Sequence, residues 1–255
     1  MRIAGISTTY GNARLAVTDR VARDLAQRFG EPAGITQQNV YAGAKSQRDL
    51  GTKTDATRGL ARALANERNI TFIALGPLTN LATLVLRYPE LASRIGEVIF
   101  VGGRSPGANL VFASIRIHDA NVIKDEAAVQ VLLRSQIPIR LIPPETGLRF
   151  VVNRGDMWAL GASGVAGNYL FRNSRAWLWW WTVIMRHDGG PLFDALAICA
   201  AHPDELTWET RYAALDRNGD LVATPTRGSG ARRVLFCSGF RPRTKPIMTA
   251  RLSGR

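Results

Sequence analysis

Cysteine, histidine and lysine are scarce in this chain, and their scarcity removes several chemistries at the outset. Two cysteines, Cys199 and Cys237, and three histidines, His118, His187 and His202, are scattered over 255 residues. No spacing among them would build a thiolate or imidazole metal centre or a disulfide framework. Two lone thiols in apolar surroundings suit a reducing compartment, and a cytoplasmic location is expected. No apolar run reaches the roughly 20 residues that span a bilayer, so no membrane partner is expected. Met1-Arg2-Ile3 leads straight into strand-like sequence, and no signal peptide is expected there. Lysine occurs only at Lys45, Lys53, Lys124 and Lys245, so arginine supplies nearly all of the +13 formal charge. The arginines are dispersed and are densest in the carboxyl-terminal tail, from Arg227 through Arg232, Arg233, Arg241, Arg243 and Arg251 to Arg255. No nucleic-acid-binding signature accompanies them, so no nucleic-acid partner is expected.

What is present is an ordinary globular composition, 46% hydrophobic and 21% charged, in a chain long enough for one substantial core. Strand-like and helical patterns alternate: RIAGISTT, a helix over Leu15 to Phe29 with Val17, Val21, Leu25 and Phe29 on one stripe, a weak strand at Val40 to Ala42, a helix over Thr54 to Asn66. The strand ITFIAL follows, then a helix to about Arg87, the strand at Val98 to Val101, a helix over Lys124 to Arg134, and the strand at Pro138 to Ile142. Such alternation predicts one α/β domain across residues 1–255, a mainly parallel sheet with helices on both faces. The stretch from Asn153 to Ala201 is mainly helical in pattern, and Trp208–Leu215, Leu221–Thr224 and Arg233–Cys237 read as closing strands. The segment between Arg104 and Asp119 is too long for a plain turn and predicts an excursion over the strand ends.

Four clusters fall where strand ends or helix starts should be. Asn12, in Thr9-Tyr10-Gly11-Asn12, either closes a turn or faces a ligand. Leu75-Gly76-Pro77 leaves a carbonyl able to point at a ligand, and Pro77 suits a first helical position. Asp119 and Asn121 either cap a helix or, on an extended segment, both face a pocket. Asp194 lies in the apolar run PLFDALAICAA, where a carboxylate calls for a cation or an arginine.

These clusters, in this order, resemble the nucleoside hydrolases over roughly Ile3 to Leu252. ISTTYGN resembles the family's ITTVxGN, ALGPLTNLA its GPLTN signature, and FVGGRSPG its VGG turn. HDANVIKDEAAVQVLL is similar to its acid-x-Asn block, and PLFDALAICAAHPDE to its HDPLAVAxxxxPE segment. The resemblance implies hydrolysis of the N-glycosidic bond of ribonucleosides through an oxocarbenium-like transition state, in nucleoside salvage, by dimers or tetramers. It also implies one Ca²⁺ that binds the ribose hydroxyls and the attacking water. Carried over residue by residue, Asn12, Asp119 and Asn121 match substrate-binding positions. Asp194 matches a calcium carboxylate, and the Leu75 carbonyl a calcium ligand.

The family's first strand, DTDxGxDD, which carries most calcium ligands and the water-activating aspartate, has no counterpart. The sequence opens at what should be the second strand, which implies the absence of a strand-plus-helix unit of about 25 to 30 residues. A misplaced start, with Met1 internal, is the expected cause. On this reading no catalytic residue can be named, calcium binding is weak or absent, and hydrolysis is impaired. The alternative is a non-catalytic relative that binds ribosides or a protein. Phe193 stands where many relatives have a leaving-group histidine. Trp177, Trp180 and Trp181 are candidates to stack on a base, and His187 is expected to be a solvated loop residue.

Overall fold

The computed structural model describes residues 2–108 and 110–252. Met1 and Arg255, named above for the chain start and the basic tail, lie outside them. In chain order the elements are β1 (Ile6–Ser7), α1 (Leu15–Phe29), β2 (Val40–Tyr41), α2 (Asp55–Asn66), β3 (Ile70–Ala74), α3 (Thr79–Arg87), α4 (Pro89–Ala92) and β4 (Ile95–Val101). Next come β5 (Val111–Phe112), β6 (Ile115–Arg116), α5 (Ala120–Ile123), α6 (Glu126–Arg134), β7 (Ile139–Ile142), α7 (Pro144–Gly147) and β8 (Val151–Val152). The chain closes with α8 (Arg154–Gly161), α9 (Val165–Trp179), β9 (Gly190–Pro191), α10 (Phe193–Cys199), β10 (Leu206–Leu215), β11 (Leu221–Thr224), β12 (Arg232–Phe240) and α11 (Thr244–Leu252).

The main sheet has the order β11-β10-β12-β7-β4-β3. β3, β4, β7 and β12 run parallel, and β10 and β11 are antiparallel additions at one edge. Alternation along β4 divides the core. Val98 and Phe100 point into one layer with Leu64, Leu81 and Val129 of α2, α3 and α6. Ile99 and Val101 point into the other with Leu196 and Ala197 of α10. Near-continuous apolar sequence in β4 and β7 is what burial on both faces requires.

β1 and β2 stand apart. They pair with each other in parallel, Ile6 opposite Val40 and Ser7 opposite Tyr41, and among the described residues form no ladder with the main sheet. β3 is therefore an edge strand facing β1 without bonding to it. The two sheets are tied instead by Asn80 of α3, whose amide donates to the Thr8 carbonyl and accepts from the Ala44 N–H, both at 2.9 Å.

Three local readings change. Pro77 precedes the helix rather than opening it, since α3 begins at Thr79 behind Leu78. Lys124 is not a helical start: Asp125 caps α6 by accepting from the Ala128 N–H at 3.0 Å. Val17 and Val21, read as an inward stripe, are 40% and 44% exposed. The two-stranded β1–β2 sheet is too narrow to cover that helix face, and Ala26 is its buried residue.

Candidate active site at the strand ends

The carboxyl ends of β1, β3, β4 and β7 open on the same side of the molecule, the place where open α/β sheets take ligands. Asn121, the second residue of α5, joins two of these ends. Its Nδ2 donates to the Val101 carbonyl at 2.9 Å and lies 3.5 Å from the Leu75 carbonyl. Asn12, beyond β1, is exposed, and its Oδ1 accepts from Lys124 Nζ at 3.1 Å. Tyr10 donates its hydroxyl to the Lys124 carbonyl at 2.9 Å, and Thr79 donates to the buried Asp125 carboxylate. The structure thus brings Asn12, Leu75 and Asn121 to one rim.

Asp119 is placed differently. It is 8% exposed and caps α5; one oxygen accepts from the Gly103 N–H at 2.6 Å and the other from the Val122 N–H at 3.3 Å. Burial raises its carboxyl to about 6 despite those bonds. The extended-segment geometry that would have aimed Asp119 and Asn121 together is absent, because α5 begins between them.

Asp194 is the second residue of α10, on the opposite layer of the sheet from α3. It keeps contact with solvent, yet the protein around it is close enough for desolvation to raise its carboxyl to about 6. No hydrogen bond or ion pair joins it to Asn12, Asn121 or Leu75 among the described residues. Its neighbour Phe193 packs with Trp181, ring centroids 6.1 Å apart. His187 corrects the solvated-loop expectation: its ring is half-buried, edge-on to Phe112 at 5.2 Å and Trp181 at 5.6 Å. Its Nδ1 bonds the Gly189 carbonyl at 2.9 Å, which fixes the proton there and leaves Nε2 as the free nitrogen. Trp181 is buried and Trp177 partly so, while Trp180 is 37% exposed.

The sequence reading missed Lys124, the one amino group at the rim, and Glu145. Glu145 Oε1 accepts from the Ser105 N–H at 2.7 Å, and its Oε2 is buried without a partner. Position alone, just after the strand β7, was the signal for Glu145. Lys124 gave none, because helical periodicity explained it.

Calcium asks for about 6 to 8 oxygen ligands. The groups carried over for it are the Leu75 carbonyl and the Asp194 carboxylate. Asp119 is committed to backbone N–H groups, and Lys124 adds positive charge at the rim. No group of three or more histidine, cysteine, aspartate or glutamate residues is placed to hold a metal among the described residues. This donor set does not fit the ion.

Fold and rim together define an open α/β protein with a strand-end site of amide and carbonyl groups. The model of the family described as inosine-uridine preferring nucleoside hydrolase matches residues 1–236, and the chain belongs to that family. It is 24% identical over 185 residues to the non-specific ribonucleoside hydrolase RihC of Salmonella paratyphi A, matching 68% of this chain and 57% of that protein. The chain spans about half the length of the curated relatives it matches. Among solved structures, the plant nucleoside hydrolase PpNRh1 superposes with a TM-score of 0.84 at 22% identity, covering 99% of this chain and 91% of the other. The purine-preferring ribonucleoside hydrolase of Gardnerella vaginalis gives a TM-score of 0.83 at 20% identity, covering 100% and 90%. The expected fold is the observed one.

Proposed function

We propose that the strand-end rim binds a ribonucleoside through its sugar, for a reaction, hydrolysis of the N-glycosidic bond to base and ribose, that is impaired in these 255 residues. The observation that carries this is the complementary use of two amides in a member of this family. Asn121 uses its Nδ2 on carbonyls and keeps Oδ1 as an acceptor. Asn12 uses its Oδ1 on Lys124 and keeps Nδ2 as a donor. Vicinal hydroxyls need both. Asp119 supports the rim by holding the Gly103 turn and the start of α5 rather than by touching the sugar.

We infer further that these 255 residues hold calcium weakly or not at all, since one carboxylate cannot offset the desolvation of a divalent ion. That favours a second reading, a relative that binds ribosides without turning them over. Assembly into dimers or tetramers and a cytoplasmic salvage role belong to the same proposal. Isothermal titration with inosine and with ribose, each with and without calcium, tests it beside an absorbance assay for released base. Binding that is indifferent to calcium, without base release, is expected. Base release abolished by a chelator would overturn the donor count. Absence of binding under either condition would overturn the riboside site.

A further inference from the structure

The run from Ala176 to Met185, AWLWWWTVIM, carries no charge and lies between Arg175 and Arg186. It forms the end of α9 and the π-helical turn, Trp180–Ile184, that continues it. At about 1.5 Å of rise per residue it is about 15 Å long, half the thickness of a bilayer's hydrocarbon core. Helical spacing splits the run into two faces. Leu178, Trp181 and Met185 are buried against the body of the protein. Trp179, Trp180, Val183 and Ile184 are between 37% and 52% exposed. Trp179 and Val183 are four residues apart, as are Trp180 and Ile184, so the four stand together on the outer face. A single exposed apolar side chain is ordinary, but two tryptophans and two β-branched residues in one patch mark a docking surface.

The charges around the patch say what covers it. Arg175 stands four residues before Trp179 and Arg172 two helical turns before it, both on the same side of α9. Arg186 follows the patch at its other end. All three are exposed, and none forms an ion pair among the described residues. No aspartate or glutamate occurs in the sequence between Asp156 and Asp188. The apolar patch is thus edged at both ends by uncompensated guanidinium groups. We propose that this face docks on an anionic lipid surface. The helix lies along the surface, with the four apolar side chains in the boundary between headgroups and acyl chains and the three arginines at the lipid phosphates. Tryptophan is suited to that boundary, and arginine binds phosphate with two parallel N–H donors. The formal charge of +13 adds attraction at longer range. No helix among the described residues is long and apolar enough to cross a membrane, so the attachment is to the surface alone. A second copy of this chain is a poor occupant, because it would set the same arginines against these. The inference goes beyond the riboside reading and does not depend on it.

The test is flotation of the full chain with vesicles of phosphatidylcholine and with vesicles of an equimolar mixture of phosphatidylcholine and phosphatidylglycerol. The mixed vesicles should bind at least about tenfold more tightly. Arg172→Gln with Arg175→Gln should weaken that binding about thirtyfold, the effect of two charges near an anionic surface. Trp179→Ser with Val183→Ser should keep the wild-type melting curve, since both side chains are exposed, and weaken binding about tenfold or more. Mixed vesicles with brominated acyl chains should quench the tryptophan emission of the unaltered chain, a readout that needs no variant to fold. Failure to float with the mixed vesicles would overturn the proposal. Binding without quenching, or undiminished binding by the Trp179 and Val183 variant, would also overturn it, leaving only the general positive charge. So would a blue shift of tryptophan emission with soluble polyglutamate as large as with vesicles, the mark of an acidic protein partner. A concentration-dependent dimer abolished by the same double substitution would assign the face to a second copy instead.

Discussion

Replacing Asn80 by alanine probes what holds the β1–β2 pair to the rest of the molecule. The side chain is 5% exposed. Its two 2.9 Å bonds, from the Ala44 N–H and to the Thr8 carbonyl, fasten the ends of β2 and β1 to α3. The packing is tight, since a Cβ on Gly43 would fall 2.3 Å from both amide atoms. Deletion therefore strands one donor and one acceptor, each at about 1–3 kcal/mol, for a total loss of about 2–6 kcal/mol. With a urea m-value at about the upper end of the 1–3 kcal/mol/M range, the midpoint should fall by about 1–2 M. Asn80→Leu fills the same space without polar groups and separates lost bonds from lost volume. Both variants should be destabilised to a similar degree, with amide exchange accelerated first over residues 6–10. A loss under about 0.5 kcal/mol in both, or recovery of stability by leucine, would refute the clamp.

Asp119→Asn should flatten the pH dependence of the melting temperature between about pH 4 and 6. Burial raises the carboxyl to about 6, so the folded chain holds its proton more tightly than the unfolded one, and the stability this confers is present below about pH 4 and lost as pH rises through 6. Asp194→Asn should melt at or above the wild-type temperature at pH 7.5, because desolvation alone raises this carboxyl and nothing in the described chain pairs with it. A clear drop, reversed by calcium in the wild type only, would mean that a cation holds Asp194. Gly167→Ala should destabilise by about 2 kcal/mol or more in chemical denaturation, since the new methyl would lie 2.0 Å from the Leu160 carbonyl oxygen where α8 meets α9.

Much of the fold was legible because buried parallel strands leave a strong record. Residues 98–101 of β4 and 141–142 of β7 are apolar on both faces, and the hairpin of β10 and β11 is marked by Asn218-Gly219-Asp220. The α1 boundaries were equally clear, yet its stripe misled, because periodicity reports what a helix could bury and not how wide a surface it finds. Val17 and Val21 face a sheet only two strands wide. The site was harder. Residue type placed Asn12 and Asn121 at the rim, but the Lys124 bond to Asn12 joins residues 112 positions apart, and no local pattern encodes that. Thr79 and Asn80 belong to a motif that suggested ligand binding, whereas both side chains face inward and brace strand ends and the cap of α6.

Aspartate and asparagine one residue apart acquire different work here because of where a helix starts. On an extended strand, residues 119 and 121 would share a face. With α5 beginning at Ala120, the side chains diverge by helical rather than strand geometry. Asp119, at the cap, meets the N–H groups of Val122 and Gly103; Asn121, inside the first turn, meets the carbonyls of Val101 and Leu75. An acceptor is suited to the first position, where backbone N–H groups converge, and an amide to the second, where it donates to carbonyls. The negative charge of Asp119 is thus directed away from the rim, and the nearest free charge there is the Lys124 ammonium. A rim with that balance opposes a divalent ion, because the Lys124 ammonium stands where the ion's charge would fall.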